Sequence, residues 1–133
     1  MTTINFDTYK SDIVSFKNDV SNKALIITLK GFANAENSGL FIDLYKHNVS
    51  KINPQNYALI VDSSKLSTFP PDVLPVLEQS YKLYMSSQFQ SIIMINPEMI
   101  TAKSQLNRVA RSVSFTGKFV NSLDEALTLS KNN

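Results

Sequence analysis

Two hydrophobic rhythms alternate along this chain. Short apolar runs stand between polar residues: Ala24-Leu25-Ile26-Ile27-Thr28-Leu29, Ala58-Leu59-Ile60-Val61 and Ile92-Ile93-Met94-Ile95. Such runs predict strands covered on both faces, as in a parallel sheet flanked by helices. Between them lie longer stretches in which apolar residues return every third or fourth position. Leu40, Phe41, Leu44, Tyr45 and Val49 make one such stripe, within a helix expected over residues 34–52. Val73, Val76, Leu77, Tyr81 and Tyr84 make the next, over 73–86. Ala102, Leu106, Val109, Ala110 and Val113 make a third, over 100–113.

The ends of the chain complete the pattern. Ile13, Val14 and Phe16 predict a short strand, and Asn18-Asp19-Val20-Ser21-Asn22 a turn that folds it back on the strand at 24–29. So short a connection makes that pair antiparallel. Gly31 ends the second strand, Asn34 or Asn37 is expected to cap the first helix, and Pro54 lies past its end. Thr116-Gly117 predicts a turn, Phe119-Val120 an edge strand, and residues 123–129 a last helix burying Leu123, Ala126 and Leu127. Ser122 followed by Glu125 is a capping box for that helix. Residues 1–10 carry little pattern. The order is ββαβαβαβα, an α/β fold with a mixed, mostly parallel sheet of about five strands and four helices.

The stretch from Tyr57 to Glu78 is the hub of this arrangement. Its strand ends at Asp62, and the polar loop from Ser63 to Phe69 lies where open α/β sheets place functional sites. Pro70, Pro71 and Pro75 constrain the helix start. A helix beginning at Pro70 would put Pro75 in its second turn, at a cost of about 3 kcal/mol. With Asp72 as N-cap, Pro75 becomes the third helical residue, whose N–H has no intrahelical partner anyway. Asp72 is therefore expected to cap the helix, its carboxylate on the Leu74 N–H. Four hydroxyls surround this helix start: Ser63, Ser64, Ser67 and Thr68. The plain reading is a well-capped loop; the functional one is a surface that receives phosphate or a partner, since helix N-termini favour anions.

Composition narrows the function classes. A chain of 133 residues is one domain with room for a core, and 43% apolar with 18% charged residues is ordinary for a soluble protein. Thirteen basic and eleven acidic residues give a net charge of +2, too balanced for a nucleic-acid or anionic-membrane surface. Lys103, Arg108 and Arg111 share a helix without interleaved aromatics and read as a solvated face. There is no cysteine, so no disulfide or thiolate chemistry. No secretory signal and no membrane-length apolar run is visible, and a cytoplasmic protein is expected.

Enzymatic signatures are missing. His47, the single histidine, sits between Lys46 and Asn48 on a polar helix side and cannot build a histidine metal site. There is no G-x-S-x-G elbow and no glycine-rich phosphate loop. Asp62 stands at a strand end without the acidic pair and lysine of a receiver domain. Tyr81, Tyr84 and Phe89 read as core and core edge. No cofactor is implied.

Four phrases in this order resemble the STAS domain, the fold of the bacterial anti-sigma factor antagonists. They are ALIITLKGFANAENSGLF, ALIVDSSKLSTF, SIIMINP leading into a helix, and KFVNSLDEALTLS. The resemblance covers residues 23–130. It implies a non-catalytic protein-binding domain whose partner is an anti-sigma factor or serine kinase. In that family an Asp-Ser-Ser-Gly box precedes the second helix, and its second serine is phosphorylated. Here Pro70-Pro71-Asp72-Val73 falls at the box, with Asp72 at the phosphoacceptor position. Either Asp72 is a fixed charge in a non-switching relative, or Ser67 or Thr68 takes the phosphate. A carboxylate carries about one charge against roughly two for phosphoserine, so mimicry would be partial. The partner surface expected is Ser64, Ser67, Thr68, Pro70, Pro71, Asp72 and Val76. The alternative is a small molecule or lipid held inside the same fold, as in its Sec14-like offshoot. The sequence leaves monomer and homodimer open.

Overall fold

The computed structural model describes residues 13–30 and 35–131. The expectations placed on residues 1–10, Gly31 and Asn34 lie outside them. Five strands form one sheet in chain order: β1 (Val14–Asp19), β2 (Ala24–Leu29), β3 (Ala58–Asp62), β4 (Ser91–Ile95) and β5 (Lys118–Val120). β1 is antiparallel to β2, and the other neighbours are parallel. Four α-helices, α1 (Ala35–Val49), α2 (Leu74–Ser86), α3 (Ile100–Ser112) and α4 (Leu123–Lys131), follow the expected order.

The strand order dictates the layering. Crossovers between parallel neighbours are right-handed, and here each leads to the next strand on the same side. α1, α2 and α3 therefore share one face of the sheet. Side chains of β2–β4 alternate between faces. Leu25, Ile27, Leu29, Leu59, Val61 and Met94 meet the three-helix layer. Ala24, Ile26, Ile60, Ile93 and Ile95 turn the other way, onto Ala126 of α4. That two-sided burial explains why the strand runs are continuously apolar. The three-helix layer is rich in aromatics: Tyr45 and Tyr84 lie 5.3 Å apart between ring centroids, and Tyr81 and Phe115 lie 4.8 Å apart.

Several boundaries differ from expectation. β1 runs on to Asp19, and the turn moves to Val20–Lys23. The Asp19 carboxylate accepts the Asn22 N–H at 3.1 Å and its side-chain amide at 2.8 Å, which closes the turn and lowers the Asp19 pKa. Lys23, at φ 54°, completes it. α1 stops at Val49, because Asn53 before Pro54 must be extended (φ −98°, ψ 103°) and the intervening residues unwind. Asn37 lies inside α1 and is not its cap. Leu123 is 37% exposed, contrary to its expected burial: as the first residue of α4 it precedes the turn that meets the sheet. The capping box is present, with the Glu125 N–H donating to Ser122 Oγ at 3.1 Å.

Candidate functional site

The loop between β3 and α2 is built from its first residue. Ser63 extends the β3–β4 ladder, its N–H donating to the Ile95 carbonyl at 3.2 Å. The Asp62 carboxylate accepts the Ser64 N–H at 3.0 Å and bends the chain off the sheet. Leu66 and Phe69 are the loop's anchors, both buried in the main core. Between them Ser67 and Thr68 are exposed.

The start of α3 holds this loop from the side. The Glu98 N–H donates to the Ser64 carbonyl at 3.1 Å, and Lys65 Nζ meets Glu98 Oε2 at 2.8 Å. Thr68 Oγ1 lies 2.7 Å from Thr101 Oγ1 and 3.3 Å from Met99 Sδ. Both contacts are satisfied when Thr101 donates to Thr68 and Thr68 donates to sulfur. Gln105 then takes both backbone groups of Phe69, the N–H on Oε1 at 3.2 Å and the carbonyl from Nε2 at 3.0 Å. The Glu98 hydrogen bond also holds the Lys65 pKa above its usual value.

The helix start differs from the expected one. Asp72 is not the cap of α2: Pro71–Val73 form a 3-10 turn, α2 begins at Leu74, and no side chain caps either. Pro71 at the first position of that turn and Pro75 at the start of α2 both sit where a missing N–H costs nothing, so the prolines are absorbed without a side-chain cap. The same prolines leave this helix start few free donors for an anion. Pro70, Pro71 and Pro75 have no N–H. The Val73 and Leu74 N–H groups are spent on the Pro70 and Pro71 carbonyls. The exposed Asp72 carboxylate adds a like charge.

The expected residues are thus divided. Ser67, Thr68, Pro71 and Asp72 are exposed on one loop, with Pro70 half-buried beside them. Ser64 is half-buried and works through its backbone. Val76 is half-buried against the main core. Sequence reasoning missed the apolar part of the surface, Met99 at 46% and Ile100 at 79% exposure. The signal was present, since two large apolar residues precede a helix whose buried stripe starts at Ala102. It also missed Gln105, whose role depends on a contact across 36 residues.

Within the three-helix layer, Tyr45, Tyr81, Tyr84 and Phe115 pack ring against ring. His47 is half-buried on α1. Among the described residues no group of three His, Cys, Asp or Glu could hold a metal ion. No helix among them is long and apolar enough to cross a membrane.

No protein-family profile matches the chain, and no curated protein matches it in sequence. Structures do match. A Thermotoga maritima protein assigned as an anti-sigma factor antagonist superposes with a TM-score of 0.62 at 17% identity, over 89% of this chain and 94% of that one. The anti-sigma factor antagonist SpoIIAA, in its unphosphorylated form, gives 0.57 at 10% identity, over 90% and 98%. The murine anion transporter Slc26a9 gives 0.62 at 18% identity, over 84% of this chain and 18% of its own. At these identities the likeness concerns the fold alone, and the fold of this chain is that of the STAS domain and the anti-sigma factor antagonists.

Proposed function

We propose that this chain is a non-catalytic regulatory domain that binds another protein through the β3–α2 loop and the adjoining start of α3. The observation that carries this reading is Ile100. It is 79% exposed beside the exposed Met99, on the segment that grips the loop. An apolar side chain held out on a pre-ordered surface lowers the ordering cost of association. The exposed Asp72 and Ser67 on the loop supply a polar rim.

The partner class is an anti-sigma factor or a serine kinase of that type, in line with the resemblance and with the names of the structural relatives. Asp72 serves as a fixed negative charge. Of the two candidate phosphoacceptors, Ser67 is the open one, with no hydrogen bond among the described residues. Thr68 must first give up its contact with Thr101 at 2.7 Å.

The test is capture from the native host with a photo-crosslinker at the exposed position 104, one turn along α3 from Ile100, comparing the otherwise wild-type chain with Ile100→Lys and Asp72→Lys, plus intact-mass measurement of the recovered protein. A signalling protein crosslinked by wild type and lost from both variants supports the reading. Partners retained by both variants, or a mass gain matching bound lipid, would sink it.

A further inference from the structure

On the face of the sheet opposite α1–α3, a groove of about 440 Å³ runs along α4 beside the end of β5. Val120 and Leu129 supply its apolar wall, and Asp124, Glu125 and Thr128 its polar one. Among the described residues, no basic one lines it.

Part of this is explained by the helix itself. Asp124 and Glu125 occupy the first turn of α4, where carboxylates complement the free N–H groups, and Glu125 belongs to the capping box. Capping does not require the apolar wall beside them. Leu129 is only half-buried, and Leu123, the residue just before Asp124, is 37% exposed. Nor does capping neutralise Asp124, which makes no hydrogen bond or ion pair among the described residues.

The shape and charge select the occupant. The groove is open along its length, so it suits side chains of a chain laid across it rather than an enclosed metabolite. Its charges among the described residues, Asp124 and Glu125, are both negative, so the complement is positive. We propose that this groove receives a segment of a partner protein in which an aliphatic side chain is followed closely by lysine or arginine. The aliphatic group would lie on Val120 and Leu129 and the cation beside Asp124 and Glu125. This surface is separate from the loop surface, and either stands without the other.

The experiment is an amide-resolved NMR titration of the whole chain with two synthetic ten-residue peptides, one alternating Leu and Lys, the other Leu and Glu. The Leu–Lys peptide is expected to shift the amides of Val120, Asp124, Glu125, Thr128 and Leu129. Its binding should weaken several-fold between about 50 and 300 mM salt, as ion pairing at an exposed surface requires. Thr128→Lys, at an exposed position and with a good helix former, should weaken it about tenfold with the spectrum otherwise retained. The proposal is overturned by equal binding of both peptides, by shifts confined to other amides, by no shift up to 2 mM peptide (about 3.7 kcal/mol of binding), or by Thr128→Lys binding like wild type. Concentration-dependent shifts of the same amides without peptide would assign the groove to self-association and overturn it as well.

Discussion

Gln105 holds Phe69 by both of its backbone polar groups, accepting the N–H at 3.2 Å and donating to the carbonyl at 3.0 Å. One side chain on α3 thus does for this loop residue what a neighbouring strand does within the sheet. Replacing Gln105 with Leu removes both bonds beside a buried ring. The expected cost is about 1–3 kcal/mol, read as a lower urea midpoint at unchanged slope. A midpoint equal to wild type would mean that the loop is held without this clamp.

Asp72→Ala should behave differently. Loss of a true N-cap costs about 1 kcal/mol, but Asp72 is exposed and caps nothing. Its removal should change stability by less than about 0.5 kcal/mol, while Asp72→Lys should still weaken partner capture. A clear drop in thermal midpoint for Asp72→Ala would restore the capping role.

The buried phenols make opposite predictions. The Tyr45 hydroxyl lies 2.8 Å from Ser87 Oγ, whereas the Tyr81 hydroxyl is buried with no hydrogen-bond partner among the described residues. Tyr45→Phe should cost about 1 kcal/mol, and Tyr81→Phe should be neutral or stabilising. Equal losses from both would show that Tyr81 has a bound partner such as water.

Alkali should act through the same residues. Burial pushes Tyr45 up to about 12, with the Ser87 hydrogen bond opposing, and raises Tyr81 and Tyr84 further. In the unfolded chain a phenol ionises near 10. The folded values are raised, so the stability these groups lend is complete below about pH 10 and is lost as pH climbs from there through about 12. Urea midpoints measured from pH 8 to pH 11.5 should be flat at first and then fall. A curve still flat at the upper end would show phenols that titrate alike in both states.

Gly117 is required by space rather than by backbone angle. A Cβ there would stand 2.4 Å from the Phe115 ring and 3.0 Å from the Ile92 carbonyl oxygen. The ring is itself packed on Tyr81 at 4.8 Å and Phe119 at 5.9 Å, so it cannot step aside freely. Gly117→Ala should cost about 1–3 kcal/mol. Combining it with Phe115→Leu should cost less than the sum of the two single changes, by calorimetry.

The elements were legible in the sequence wherever one physical cause set them. Continuous apolar runs marked β2, β3 and β4, because burial on both faces leaves no polar option. Ser122 and Glu125 marked the start of α4, because a capping box is local. The α2 start misled because three prolines satisfied the first turn by lacking N–H groups, leaving Asp72 nothing to cap. The proposed surface includes the loop after β3, which was legible as a place. Its apolar half was not, because Met99 and Ile100 join Thr68 only when β3 and β4 pair. Gln105 and Phe115 were hidden for the same reason, since each acts through a partner distant in sequence.

The order of the strands also has a consequence for folding. The sheet and its three-helix layer are formed by residues up to Val120. Among the described residues, the other face is covered by α4 alone, from Leu123 to Lys131. Until α4 docks, Ile26, Ile60, Ile93 and Ile95 lack their lid. Transiently exposed apolar sheet is prone to aggregate, so the firmness with which this one short helix holds bears on how much of the protein stays in solution.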